Sequence, residues 1–137
     1  MNMNPKAKKD RKTILVVEDE QSLLGAIKTK LLKNDFEVVC CGDVESGLKF
    51  VADMPEIDFI WLDHYLCGGE TGMDFMMKIK QNFPRKKIPV IVVSVSIDER
   101  KYDRYMDMGA EKFYVKSDYG LQEIIDEIKL YFKNKKL

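Results

Sequence analysis

Cysteine is scarce in this 137-residue chain, and long apolar runs are missing. The three cysteines, Cys40, Cys41 and Cys67, are odd in number and form no C-x-x-C spacing, which disfavours a disulfide framework or a zinc site. No apolar segment of signal-peptide length precedes "ILVVEDE", and no run is long enough to span a membrane. We therefore expect neither a secretory signal nor a membrane contact, and the cytoplasm is the simplest location.

Net charge is also missing, because 23 basic side chains balance 23 acidic ones. The bases concentrate at the two ends, so residues 1–12 and 133–137 are predicted to be basic tails, the first of them disordered, around one domain at 13–132. That domain carries 15 basic and 22 acidic side chains. Its acidic balance argues against direct binding of nucleic acid by the domain.

Five apolar runs of strand length alternate with five segments of helical period. The runs are 13–17, 36–40, 57–62, 89–94 and 112–115, and the helical stripes span 23–32, 44–51, 75–83, 98–108 and 121–132. Several runs are nearly continuous in valine, isoleucine and leucine, which is typical of parallel strands covered on both faces. The alternation predicts an α/β domain, (βα)5, with an open flavodoxin-like parallel sheet, strand order 2-1-3-4-5 and helices on both faces.

Polar residues follow four of the predicted strands. Glu18 and Asp19 follow the first, Asp63 the third, and Lys116 the fifth, while Ser94 ends the fourth. The carboxyl ends of parallel strands meet at one edge, where open α/β sheets place their ligand sites. Three carboxylates there repel one another unless a cation such as Mg²⁺ compensates them, and a carboxylate is a competent nucleophile toward a phosphoryl group.

The sequence around these residues resembles the receiver domain of two-component response regulators. The matching segments are "VVEDE" at 16–20, "IWLD" at 60–63, "PVIVVS" at 89–94 and "GAEKFYVK" at 109–116. Each segment alone is weakly specific for this family. Four such segments in this order, at four strand ends, indicate the family strongly. The resemblance covers about residues 13–132.

The resemblance implies a role for each residue of the acidic edge. Asp63 would be the phosphoacceptor, and Lys116 would pair with the phosphoryl group. Asp19 would bind Mg²⁺ directly and Glu18 mostly through water, and the backbone carbonyl of Tyr65 would be a further metal ligand. The chain would then be a signalling phosphoacceptor rather than an enzyme, with only self-phosphorylation and autodephosphorylation chemistry.

The resemblance also implies a switch and partners. Ser94 would be the switch hydroxyl, and Phe113, three residues before the lysine, would be the switch aromatic. A histidine kinase or a phosphotransfer protein would donate the phosphoryl group from a phosphohistidine. Because no output domain follows residue 132, a stand-alone receiver would pass its signal to an output protein in trans.

Three residues depart from the usual receiver pattern. Cys67 and Ser117 stand where proline is common, and Val95 stands where a smaller residue is preferred. These departures leave open a degenerate receiver that acts as a phosphorylation-independent adaptor. A flavin carrier is disfavoured by the acidic "EDEQS" turn after the first strand. An aspartate-nucleophile phosphatase is disfavoured because Tyr65 stands where its second acid is needed.

Three further side chains are ambiguous in the sequence. His64 is the only histidine and follows the predicted phosphoacceptor, but it has no partner pattern, so we expect a structural role. Tyr102 and Tyr105 fit either the core or a partner surface, and the helical pattern does not separate these alternatives.

Overall fold

The computed structural model describes residue 7 and residues 10–96 and 98–134. Strands and helices alternate five times along the chain. The strands are β1 Thr13–Val17, β2 Glu37–Cys41, β3 Ile57–Leu62, β4 Val90–Ser94 and β5 Lys112–Val115. The helices are α1 Gln21–Lys33, α2 Val44–Asp53, α3 Gly72–Asn82, α4 Glu99–Asp107 and α5 Leu121–Asn134.

All strand pairs are parallel, and the sheet order is β2-β1-β3-β4-β5, as predicted. Alternate side chains of each strand enter two apolar layers. Leu15 and Phe75 belong to the layer under α2, α3 and α4, whereas Ile14, Trp61 and Ile124 belong to the layer under α1 and α5. Because both faces are covered, the strands are nearly continuous in apolar residues.

The helix boundaries follow local capping interactions. Asp43 accepts a hydrogen bond from Ser46 N at 2.8 Å, which caps α2. Asp98 caps α4 in the same way. Thr71 and Asp74 form a capping box at the start of α3. Gly109 follows α4 with a φ of +97°, a left-handed conformation that favours glycine.

Two strands begin one residue later than predicted. Phe36 was assigned to the second strand, but its N–H bonds to the carbonyl of Leu31 in the turn that ends α1. Pro89 was assigned to the fourth strand; it has no N–H, so it contributes only its carbonyl, which accepts from Ile60 N at 2.9 Å. Both shifts lie at the ends of strands opposite the acidic residues.

The predicted tails are only partly covered by the structure. Residues 1–6, 8, 9 and 135–137 lie outside the described residues. Helix α5 includes Lys133 and Asn134, so it extends two residues past the boundary predicted at 132. Arg11, at the other end, lies 3.2 Å from the carboxylate of Glu37. Within the described part of the chain, no helix is both long and apolar enough to cross a membrane.

Candidate functional site at the carboxyl edge of the sheet

Two of the acidic residues are held by backbone hydrogen bonds that continue the sheet past its last residues. Glu18 N donates to the carbonyl of Cys41, and Asp63 N donates to the carbonyl of Val17, both at 2.9 Å. The main chain therefore fixes where both side chains leave the sheet.

The three predicted metal-binding carboxylates come together. One oxygen of each of Glu18, Asp19 and Asp63 lies within 4.8 Å of the others. Glu18 and Asp63 are 1% and 4% exposed, whereas Asp19 is exposed to solvent. Among the described residues, this is the group of three acidic, histidine or cysteine side chains that could hold a metal ion.

The charge of Asp63 is costly in this position. Burial, followed by the negative charge of Glu18, raises the pKa of Asp63 from 3.8 to about 7, although the charge of Lys116 opposes this rise. The backbone N–H of His64 donates to Asp63 Oδ1 at 2.8 Å and favours the ionised form. Near neutral pH the carboxyl is therefore balanced between its two protonation states.

Lys116 joins both buried acids. Its Nζ lies 2.9 Å from Glu18 Oε1 and 3.5 Å from Asp63 Oδ2. Burial lowers the pKa of Lys116, but the hydrogen bonds and charges of the two acids outweigh that effect and raise it. Its backbone N donates to Ser94 O at 2.8 Å, and the Lys116–Ser117 peptide bond is trans, like all the described peptide bonds.

Ser94 presents an unused polar atom in the same region. The side chain is 0% exposed, and its Oγ has no hydrogen-bond partner among the described residues. An unpaired buried hydroxyl costs free energy, so its presence in an apolar strand calls for an explanation. A ligand oxygen that enters this edge would supply the missing acceptor.

Phe113 is buried, with 8% of its surface exposed. Its ring lies 5.6 Å from the ring of Tyr105 in an edge-on arrangement and 6.4 Å from the ring of Tyr102. The predicted switch aromatic thus contacts two α4 side chains. The structure also separates the two tyrosines, since Tyr105 is 0% exposed and Tyr102 is 41% exposed.

Tyr65 lies two residues past Asp63 and contacts the first turn of α4. Its side chain is 49% exposed, and its hydroxyl accepts from Lys101 Nζ at 3.2 Å. The same ammonium lies 5.0 Å from the centre of the tyrosine ring. Hydrogen bonds from Ser96 and Lys101 lower the pKa of Tyr65. The phenol ring therefore links the loop after β3 to the start of α4.

One contact in the region of the site was not predicted from the sequence. His64 Nδ1 and the hydroxyl of Tyr105 lie 2.6 Å apart, and both side chains are buried. Burial, followed by the charge of Lys101, lowers the pKa of His64, whereas burial raises the pKa of Tyr105. Both groups are therefore neutral near pH 7, in agreement with a structural role for His64.

An apolar cavity of about 260 Å³ lies on the face of the sheet that α1 and α5 cover. Trp61, Lys116 and side chains of α1 and α5 line it. Trp61 is the only tryptophan of the chain and is 0% exposed. The same lysine therefore touches both the acids and the wall of this cavity.

The family model described as the response regulator receiver domain matches residues 14–129. The phosphate regulon transcriptional regulatory protein PhoB of Escherichia coli (strain K12) is 30% identical over 116 residues, which are 85% of this chain and 49% of PhoB. The chain therefore spans about half the length of this curated relative.

Solved structures agree with the family match. A receiver domain protein from Clostridium thermocellum is 27% identical, with a TM-score of 0.76 over 90% of this chain and 95% of that one. A CheY-like receiver domain protein from Methanospirillum hungatei JF-1 is 19% identical and shares the fold, with a TM-score of 0.80 over the same shares. The family match, together with the sheet order and the residues at its carboxyl edge, leads to one conclusion. The chain belongs to the response regulator receiver domains of two-component phosphorelay signalling.

Proposed function

We propose that this chain accepts a phosphoryl group on Asp63 and uses it to switch a protein-interaction surface. Receiver domains are signalling phosphoacceptors that histidine kinases phosphorylate. One observation carries the proposal for this chain: Asp63 lies within one cluster with Glu18 and Asp19 while Lys116 contacts the two buried acids.

In the proposed transfer, a carboxylate oxygen of Asp63 attacks the phosphorus of a partner phosphohistidine. A P–O bond forms, the P–N bond breaks, and its electron pair returns to the imidazole nitrogen, which then takes a proton. The Lys116 ammonium stabilises negative charge on the phosphoryl oxygens. Only the ionised carboxyl attacks, so the raised pKa of Asp63 must be countered by positive charge.

The donor set fits Mg²⁺, the ion that receiver domains bind at an acidic pocket. Carboxylate oxygens are hard ligands, and Glu18, Asp19 and Asp63 would hold the ion, with the Tyr65 carbonyl as a further proposed ligand. When bound, the ion neutralises charge on the acids and on the phosphoryl oxygens. The raised pKa of Asp63 supports this assignment, since the charge of a nearby cation opposes the effects of burial and of Glu18.

The proposed switch uses Ser94 and Phe113. The unpaired Ser94 hydroxyl would move toward Asp63 and donate to a phosphoryl oxygen there. This movement of Ser94 would change the packing around Phe113. Phe113 contacts α4, so the surface formed by α4, β5 and α5 would shift between states a few kcal/mol apart. The weak apolar anchoring of α4, which buries a single residue, suits a mobile element.

The partners follow from this chemistry. A histidine kinase or phosphotransfer protein would donate the phosphoryl group, and an output protein would be engaged in trans. The acidic balance of residues 13–132 disfavours nucleic acid as a direct ligand of the domain. A stand-alone role, the absence of membrane contact, the cytoplasmic location and the domain boundaries stay predictions.

Phosphorylation is tested with acetyl phosphate, Mg²⁺ and intact mass. The wild type is expected to gain ~80 Da, the mass of one phosphoryl group. Asp63→Asn is expected to gain nothing, because an amide cannot form the acyl phosphate. Asp43→Asn is a matched control: its asparagine still caps α2, and it is expected to gain the same mass as the wild type.

A wild type that gains no mass with Mg²⁺ present contradicts the proposal and favours the phosphorylation-independent adaptor. A mass gain that persists in Asp63→Asn contradicts the assignment of the acceptor. Omission of Mg²⁺ is expected to suppress the gain, which separates metal binding by the three acids from a metal-independent reaction.

Tyr65 is expected to prolong the life of the acyl phosphate by shielding it from water. Its ring, two residues past Asp63, packs against the ammonium of Lys101, and we expect Tyr65→Ala to open a path for water. We expect dephosphorylation to accelerate several-fold, measured as loss of the added mass after the phosphodonor is removed. Tyr102→Ala, another half-exposed tyrosine, is the control; an unchanged rate in Tyr65→Ala contradicts the shielding role.

A further inference from the structure

Helix α4 is attached to the rest of the domain mainly through Tyr105. This is the single buried residue within α4, and it is 0% exposed. Its ring packs edge-on against Phe113, with ring centres 5.6 Å apart, and against the ring of His64 at 5.7 Å. The position of α4 therefore depends in part on what this buried side chain contacts.

The hydroxyl of Tyr105 has polar neighbours on two segments, the loop after β3 and the first turn of α3. His64 Nδ1 lies 2.6 Å away, so one of these two groups donates a hydrogen bond to the other. A hydrogen bond from the backbone of Met73 lowers the pKa of Tyr105, against the larger rise that burial causes. Met73 is in the first turn of α3, where backbone N–H groups have no partner within the helix.

His64 connects this hydroxyl to the phosphoacceptor. Its backbone N–H donates to Asp63 Oδ1 at 2.8 Å, and its carbonyl accepts from Gly72 N at 2.8 Å. The bond to Oδ1 orients the carboxylate, so that the other oxygen, Oδ2, lies 3.5 Å from Lys116 Nζ. A short chain of contacts thus leads from α4 to the atoms that would react.

We infer that Tyr105 is a positioning residue for the phosphoacceptor, acting through His64, and that it couples the orientation of the Asp63 carboxylate to the position of α4. The inference rests on the proposed function for its effect on phosphorylation. It is separate from the switch through Ser94, whose hydroxyl takes no part in this chain of contacts. Coupling between two equilibria is reciprocal, so a partner that moves α4 also changes the equilibrium orientation of the Asp63 carboxylate.

Tyr105→Phe tests the inference, because it removes the hydroxyl and keeps the ring against Phe113. We expect phosphorylation by acetyl phosphate to slow about 3- to 10-fold, the range that the loss of one hydrogen bond gives. Tyr114→Phe is the matched control: Tyr114 is also 0% exposed, and its hydroxyl donates to Glu127 at 2.9 Å, on the face of α5. We expect the control to react at the wild-type rate.

A double-mutant cycle separates positioning from simple loss of packing. His64→Leu removes the hydrogen-bond partner of the tyrosine hydroxyl and is expected to slow phosphorylation by a similar factor. Adding Tyr105→Phe to His64→Leu is expected to change the rate less than twofold, since the contact is already absent. Additive effects of the two substitutions overturn the inference.

Amide hydrogen exchange gives a readout that needs no phosphorylation. The His64 N–H bonds to Asp63 Oδ1, so its exchange is expected to accelerate in Tyr105→Phe and stay at the wild-type rate in Tyr114→Phe. If the wild type takes no phosphoryl group, the proposed function fails, and this measurement still decides the coupling. Wild-type exchange at His64 in Tyr105→Phe overturns the inference.

Discussion

At pH 8 and without divalent cations, Asp63→Asn is expected to be more stable than the wild type. The wild-type carboxyl is buried beside Glu18, which raises its pKa from 3.8 to about 7, so its ionised form destabilises the fold. Asparagine has the same shape without the charge. We expect the free energy of unfolding to rise by about 2–4 kcal/mol, since each tenfold change in proton affinity is worth ~1.4 kcal/mol.

The pH dependence has a definite sign. Between about pH 4 and pH 7 the folded state holds a proton on Asp63 that the unfolded state has lost. The stability of the wild type therefore falls as the pH rises through this window, and Asp63→Asn lacks this fall. Urea unfolding at pH 5, 6, 7 and 8 with a metal chelator measures the effect.

Two controls accompany this experiment. Asp43→Asn replaces a capping aspartate by another good capping residue and is expected to follow the wild-type pH profile. Magnesium is expected to stabilise the wild type at pH 8 more than Asp63→Asn, because a ligand that binds only the folded state stabilises it. A wild type that is as stable as Asp63→Asn at pH 8 without metal contradicts the prediction.

Gly72→Ala is expected to destabilise the domain by about 3–5 kcal/mol, the range of strongly overpacked or strained sites. A Cβ at position 72 would lie 2.5 Å from the hydroxyl of Tyr105 and 2.6 Å from the carbonyl oxygen of Asp63. The carbonyl is that of Asp63 itself, directly after β3, so it cannot move without displacing the proposed phosphoacceptor. We therefore expect a lower unfolding midpoint together with slower phosphorylation.

Gly25→Ala is the matched control for this substitution. Gly25 lies within α1, and a Cβ there meets no atom within 4 Å. Alanine favours helix over glycine by ~1 kcal/mol, so this control is expected to gain stability. Adding Tyr105→Phe to Gly72→Ala removes one of the two clashes, and only partial recovery is expected. Wild-type stability in Gly72→Ala contradicts the close contact.

The architecture was predictable because each strand is a separate apolar run. The family match and the sheet order confirm the fold predicted from these runs. The proximity of the polar residues at the strand ends was also predictable, since the carboxyl ends of parallel strands lie at the same edge of the sheet. The structure brings Glu18, Asp19 and Asp63 together as the sequence predicted, and their roles in phosphoryl transfer stay predictions.

The contact between His64 and Tyr105 was not predictable from the sequence. Tyr102 and Tyr105 are three residues apart, so both fit one helical stripe, and the pattern does not reveal which enters the core. The partner of Tyr105 is 41 positions away, and only the packing of α4 against the loop after β3 brings the two side chains together. The steric demand at Gly72 has the same origin, because it depends on atoms from two other elements.

Trp61 is the only tryptophan of the chain, so intrinsic tryptophan fluorescence comes from this one position. The ring lines the cavity that Lys116 also lines, so we expect a change in the surroundings of that ammonium to alter the electric field at the fluorophore. Emission is therefore expected to report events at the acidic edge without any attached dye. No second tryptophan contributes background light, and the titration of metal or phosphodonor can be followed in real time on the unlabelled chain.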